Sequence, residues 1–334
     1  NYAPVTGLLK RNGAVAGVSA EDKETGARFD CPGKAVINAT GIFSDFLRRA
    51  DEPSAKPAVT VSQGSHFVLP RAWLPGDAAL MIPRTSDDRV LFAIPWHNHV
   101  IVGTTDDPVP EAEYEPRALP EERSFLLKHI ERFLGARPRP ADVLSVWSGQ
   151  RPLVRDAEAK NTAVISREHT ILVSKSRLLT IAGGKWTTYR KMAEDAVDRA
   201  ALIAGLANAP SRTAELRLHG WTADTGPAGW ERVYGADLGS IDKLVADDPS
   251  LKEPLHPDLP FRKVEAIWAA RHEMARGVED VLARRTRALF LNARASVGAA
   301  AETAHLLARE LGRDIRWEDR QVSEFRTVAE GYIS

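Results

Sequence analysis

Between residues 181 and 196 the chain reads IAGGKWTTYRKMAEDA, an apolar run that ends in Gly183-Gly184 and passes straight into a helical pattern. Two glycines leave no side chain at the corner, so a ligand can approach the backbone closely. The first N–H groups of a helix lack intrahelical acceptors, and the peptide dipoles add partial positive charge. Such an end suits a phosphate, a carboxylate or the electron-rich edge of a reduced flavin. Lys185 adds a full positive charge at the same place. The same residues serve equally well as a plain strand-to-helix turn with a solvated lysine.

A second corner of this kind is NATG at 38–41, where Thr40 and Gly41 end the apolar run AVINAT. In open α/β sheets, ligands gather at the carboxyl ends of strands. Two arginines extend the pattern: Arg151 in SGQRPLV and Arg167 in AVISREHTI. The guanidinium fork matches phosphate oxygens, and two converging forks make a phosphomonoester grip. Each arginine alone is equally at home on a solvated surface. His66 opens the run SHFVLP and has the chemistry to accept a hydroxyl proton; a hydrogen-bonded histidine at a sheet edge is the plain alternative. His97 and His99 have the same-face spacing of a strand, but with only Asp106 and Asp107 nearby no metal site is expected.

Other chemistries are excluded by what is missing. The chain contains no GxSxG, HExxH, Walker A loop, CxxC pair or GxGxxG. Lys plus Arg number 45 and Asp plus Glu number 45, a zero balance that argues against nucleic acid. The single cysteine, Cys31, cannot form an internal disulfide and fits a reducing compartment. No apolar run approaches the ~18 residues of a membrane span. The basic stretch ARRTRALF at 283–290 reads better as a packed helix with solvated arginines than as a membrane-surface helix.

The elements that must position these residues follow from periodicity and turns. Short strand-like runs are expected at Val5–Lys10, Ala14–Ala20, Ala27–Cys31 and Ala35–Ala39, with AVINAT buried on both faces. Ser44 is expected to cap the helix of SDFLRRA. SHFVLP, ALMIP, RVLFAIPW and HVIVGTT predict an antiparallel meander, and Pro120–Leu134 predicts a helix. Strands at VLSVWSG, TAVIS, TILVS and LLTIAGG precede a long helix from Trp186 to about Leu206. Beyond residues 207–225, rich in Ala, Pro, Thr and Gly, the pattern is helical throughout. Val278, Val281, Leu282 and Leu289 form one apolar stripe; Ala300, Ala304, Leu307 and Leu311 form another.

Taken together, the stretches INATGIFSDFLR, SQGSHFVLP, ALMIPRTSDDRVLFAIPWHNHVIVGTTD, DVLSVWSGQRPLV, ISREHTI, IAGGKWTTYRKMAEDAVD and HEMARGVEDVLARRTRALFLNARA resemble, in order, the FAD-dependent glycerol-3-phosphate dehydrogenases. The resemblance implies an α/β (α+β) fold. Residues 1–48 and 176–206 would form the remaining part of a Rossmann-like FAD-binding domain. Residues 49–175 would be an antiparallel substrate domain of the D-amino-acid-oxidase type, 207–225 a linker and 226–334 an all-helical domain. It further implies oxidation of sn-glycerol 3-phosphate to dihydroxyacetone phosphate, with FAD as cofactor and quinone as acceptor. Association with the inner face of the cytoplasmic membrane is expected, and a homodimer is compatible with it. By the resemblance, Arg151 and Arg167 bind substrate, Lys185 lies close to flavin and substrate, and His66 orients or deprotonates the C2 hydroxyl. Thr40, Gly41, Gly183, Gly184, Lys185, Trp186 and Thr187 would contact the flavin.

The family's opening strand, GxGxxG turn and helix, and its HGGxRYL segment, are not in this sequence. The expectation is therefore an N-terminally truncated chain, which by itself holds FAD weakly and does not turn over substrate. Two other readings stand beside it: an oxidase that reduces oxygen, and a non-catalytic interaction module.

Overall fold

Gly13, the second residue of the Asn12-Gly13 turn, has the positive φ that a tight hairpin requires. It joins β1 (Val5–Arg11) to β2 (Ala14–Glu21), and β3 (Arg28–Pro32) completes an antiparallel three-stranded sheet. Gly17 of β2 lies so close to β3 that a Cβ there would stand 2.4 Å from the Cys31 carbonyl oxygen. The computed structural model describes residues 1–85, 89–155, 168–207, 209–224 and 229–334. Arg167 and the TAVIS run lie outside the described residues.

After β4 (Val36–Asn38) a single 3-10 turn leads into α1 (Ser44–Asp51). Ser44 is not the N-cap: it is already helical, and its hydroxyl donates back to the Gly41 carbonyl at 2.6 Å. The 3-10 turn takes up the residues that sequence alone assigns to the cap. Asp45, in the first turn of α1, accepts the backbone N–H groups of Ala58 and Val59 at 2.9 and 3.0 Å and pairs with Arg48 at 2.6 Å. Burial raises the pKa of this carboxyl, but the bonds from Ala58, Val59 and Arg48 outweigh it and leave it below its ordinary value.

Asp45 thereby holds the entry to β5 (Val59–Pro70). Next come β6 (Leu80–Ile82), β7 (Leu91–Trp96), β8 (His99–Gly103) and β9 (Asp107–Pro108). Then follow α2 (Pro120–Leu134) and β10 (Ser145–Val154). They form one sheet in the order β10-β5-β8-β7-β6, with β9 also on β5. β6, β7 and β8 make the expected meander, but β5 pairs with β8 and not with its sequence neighbour β6. The expected strand pair His97 and His99 is also corrected. His97 and Asn98 are a two-residue hairpin turn with φ of 45° and 59°, so only His99 lies in a strand.

β11 (His169–Val173) and β12 (Leu178–Gly183) are antiparallel, and β12 runs parallel to β4. β4 therefore sits at an edge, and Ile37 is exposed and not buried on both faces. A 3-10 turn over Trp186–Thr188 precedes α3 (Tyr189–Ile203), which packs Ala196 and Met192 against Leu179 and Ile181.

After the irregular residues 209–224, the principal elements among the described residues are helices: α4 (Leu238–Asp247), α5 (Lys263–His272), α6 (Ala288–Leu291), α7 (Ala293–Leu311) and α8 (Ile315–Ala329). α7 opens on Asn292, whose side chain accepts the Ala295 N–H, and closes on left-handed Gly312. Its buried alanines at 299, 300 and 304 let neighbouring helices approach closely. ARRTRALF is not one helix: a π-helical turn over Asp280–Arg285 ends there, Arg287 is left-handed with φ of 60°, and α6 begins at Ala288, so the packed stretch is broken in its middle.

The described residues group into two compact units. One holds Asn1–Gln63, Asp106–Tyr114 and Gln150–Leu216; the other holds Gly64–Thr105, Glu115–Gly149 and Arg217–Ser334. In the second, one core packs the sheet on α2 through Phe67, Val102, Leu126 and Ile130, and a larger one fills the helical region.

Candidate functional site

In the first unit, parallel pairing matches Thr180 of β12 with Asn38 of β4. Parallel strands end at the same side of a sheet, so the corners at 38–41 and 183–185 are brought together there. Asn38, fully buried, ties this edge. Its amide donates to the Ser44 carbonyl at 2.9 Å and to Thr180 Oγ1 at 3.2 Å. Its carbonyl oxygen accepts the Thr40 N–H at 3.3 Å and the Thr40 hydroxyl at 2.7 Å. Periodicity does not single out Asn38; the signal was a polar residue inside an otherwise apolar strand.

The glycines of the two corners answer different demands. At Gly41, with φ of 60°, nothing lies within 4 Å of a would-be Cβ, so the space above the backbone is open. At Gly183 a Cβ would meet Val154 Cγ2 at 2.5 Å and the Glu168 carbonyl oxygen at 2.6 Å. At Gly184 it would meet Met192 Sδ at 2.3 Å. Both also have positive φ, at 76° and 82°. Packing against Val154 and the Glu168 carbonyl demands glycine at 183 and the left-handed backbone favours it at 184, whereas Gly41 leaves room for something else.

Lys185, exposed and extended, precedes the 3-10 turn. The Thr188 hydroxyl donates to its carbonyl at 3.0 Å, and the Thr188 N–H does so at the same distance. Trp186 is 85% exposed and stacks on Tyr189 with ring centroids 5.4 Å apart; Thr187 is exposed beside it. Arg151, on β10, meets Asp106 with Nη1 3.5 Å from Oδ1, and the Ser62 hydroxyl donates to that same oxygen. Asp106 thus orients the guanidinium without burying it.

The second unit holds His66. Its imidazole stacks on Trp147 of the neighbouring strand, centroids 4.1 Å apart and planes 16° from parallel. Across the ladder it faces Gly103, where a Cβ would stand 2.2 Å from His66 Cδ2. The Trp147 indole N–H is buried with no hydrogen-bond partner among the described residues. An unmet buried donor costs about 1–3 kcal/mol.

Beside His66 in sequence, Ser65 anchors β5. Its hydroxyl lies 2.8 Å from Glu122 Oε2 and 2.7 Å from Ser148 Oγ, and its N–H donates to Thr105 Oγ1 at 2.8 Å. Glu122 also accepts the Leu119 N–H at 2.8 Å at the start of α2, and the Thr105 hydroxyl. This buried carboxylate went unnoticed in the sequence because a glutamate in the first turn of a helix reads as a capping residue. Among the described residues no His, Cys, Asp and Glu cluster could hold a metal ion.

Residues 1–190 match the family model of FAD dependent oxidoreductases, and residues 174–321 match that of the C-terminal domain of alpha-glycerophosphate oxidase. The chain is 35% identical over 362 residues to the mitochondrial glycerol-3-phosphate dehydrogenase of Homo sapiens, covering 100% of this chain and 49% of that protein. Against the probable mitochondrial glycerol-3-phosphate dehydrogenase of Caenorhabditis elegans it is 36% identical over 353 residues, covering 98% and 48%. The solved structure of glycerol-3-phosphate dehydrogenase from Bacillus halodurans, complexed with FAD, superposes with a TM-score of 0.84 at 28% identity. That match covers 100% of this chain and 69% of the other. The chain spans about half the length of the curated relatives it matches.

Proposed function

Since the chain belongs to the FAD-dependent oxidoreductase family, we propose that it forms part of an enzyme that oxidises sn-glycerol 3-phosphate to dihydroxyacetone phosphate. The observation that carries this reading is identity of 35% along the whole chain to a glycerol-3-phosphate dehydrogenase. The open, left-handed Gly41 at the carboxyl end of β4 fits a flat ligand laid against the backbone. Thr40, Gly41 and the turn at Gly183, Gly184, Lys185, Trp186 and Thr187 are the residues assigned to FAD.

Bound FAD supplies the two-electron acceptor for the hydrogen that leaves C2. The chain's own residues do the rest. Arg151, held in orientation by Asp106, takes the phosphate dianion through charge-assisted bonds, and Arg167 shares that role. Lys185 adds positive charge toward substrate and cofactor. His66 orients the C2 hydroxyl or takes its proton as the carbonyl forms, with Trp147 fixing the ring plane.

Quinone is the assigned acceptor, with the enzyme on the inner face of the cytoplasmic membrane and able to pair as a homodimer. The match of residues 174–321 to an oxidase domain favours oxygen as the second reading. Among the described residues no helix is long and apolar enough to cross a membrane.

The test uses the complete gene product that carries this sequence, loaded with FAD. Anaerobic glycerol 3-phosphate should bleach the flavin band at ~450 nm, and a quinone analogue should restore it. Peroxide formation in air at the same rate would favour the oxidase. A flavin that glycerol 3-phosphate fails to bleach would sink the substrate assignment.

A further inference from the structure

A small cavity of about 80 Å³ in the second unit is lined by His97, Trp230, Tyr234, Arg285, Thr286 and Arg287, with Val233 and Phe261 at its apolar wall. No carboxylate lines it. Its volume is that of two or three waters at ~30 Å³ each, or of one tetrahedral oxyanion.

Two of its cationic-type residues sit in backbone conformations that are costly for them. His97 has φ of 45° and Arg287 has φ of 60°. The hairpin turn at His97-Asn98 needs left-handed residues, for which Asn, Asp or Gly are preferred. Arg287 likewise occupies a left-handed position where Gly would be relaxed. Backbone strain clusters at ligand clamps and switch sites, and here His97 and Arg287 both line one cavity.

The second arginine is preorganised. Arg285 donates Nε and Nη2 to the Glu273 carbonyl at 2.9 and 2.6 Å, which fixes the guanidinium plane, and the Glu273 carboxylate stands 4.0 Å off. Arg287 has no ion-pair partner among the described residues. Burial first, and then the charges of Arg287 and His99, hold the His97 pKa below its ordinary value. At neutral pH the ring is therefore a neutral donor in a positive field.

We propose that this cavity binds a tetrahedral oxyanion, phosphate or a phosphomonoester headgroup, clamped by Arg285, Arg287 and His97. The site is separate from the residues assigned to glycerol 3-phosphate and does not depend on that assignment.

Calorimetric titration of the full chain with inorganic phosphate tests it, with R287G and H97N as variants. Both substitutions suit a left-handed residue, so thermal stability should hold or rise. Phosphate affinity should fall at least tenfold in R287G and severalfold in H97N, while R151Q leaves binding at this cavity intact. Vesicles of phosphatidic acid, with phosphatidylcholine as control, separate the sources. Sedimentation with phosphatidic acid that free phosphate competes away, and that R287G abolishes, assigns a lipid headgroup. Binding of free phosphate alone assigns a soluble ligand. Absence of saturable phosphate binding, or binding unchanged in both R287G and H97N, overturns the proposal.

Discussion

The imidazole of His66 lies against the indole of Trp147, centroids 4.1 Å apart, and its other side is set by the bare α-carbon of Gly103. Neither neighbour is close to His66 in sequence; strand pairing delivers both. The Gly103→Ala variant places a methyl 2.2 Å from His66 Cδ2, and the ring must move. Overpacking of this kind costs about 1–3 kcal/mol. Glycerol 3-phosphate oxidation should fall more steeply than FAD content. Thermal unfolding and steady-state kinetics on the complete gene product check both, and unchanged kinetics would free His66 of its assigned role.

Removing Asn38 strands several groups at once. Asn38→Ala deletes the donor to Ser44 and Thr180 and the acceptor for Thr40. Each buried group left unmet costs about 1–3 kcal/mol, so the urea midpoint should drop clearly. Because Thr40 and Gly41 lose their anchor, flavin affinity should weaken as well. Flavin fluorescence titration reads the second effect separately from the first.

Arg151→Gln keeps the shape of the stem and removes the charge. If the guanidinium grips phosphate, KM for glycerol 3-phosphate should rise about 10- to 100-fold, the range expected for loss of a charge-assisted bond of ~1.5–3 kcal/mol. FAD content should stay near that of the parent. A matched loss in Asp106→Asn, smaller in size, would follow from looser orientation of the same fork.

Glu265 gives the helical region a pH dependence. Buried in α5, it is pushed up to about 7 by desolvation, which outweighs its hydrogen bond and attraction to Arg262. A carboxyl whose folded pKa lies above its unfolded value binds more protons in the native state. Stability is then greatest at low pH and falls as pH rises from about 4.5 through 7. The full loss is on the order of 3 kcal/mol at ~1.4 kcal/mol for each pKa unit. Urea unfolding between pH 5 and 8 should show this slope, and Glu265→Gln should flatten it.

Much of the fold is written in local chemistry. Asn12-Gly13 marks a hairpin, Pro120 and Gly135 bracket α2, and Ala300, Ala304 and Leu307 of α7 bury as their spacing requires. Each of these depends on residues within a few positions of one another, so the sequence holds all the information needed. The types of Arg151, Lys185 and His66 likewise reveal what chemistry the chain can attempt, since charge and proton affinity belong to the side chain itself.

Pairing over long separations belongs to the tertiary structure. That β5 joins β8, that β4 lies parallel to β12, and that Trp147 covers His66 are all choices among many registers of equal local merit. The glycines show the difference most clearly. Sequence marks Gly41, Gly183 and Gly184 alike as corners. Only the fold reveals that Val154 and Met192 fill the space at the last two while the first stays open. What occupies the volume beside an α-carbon is decided by residues far along the chain, and no local pattern encodes it.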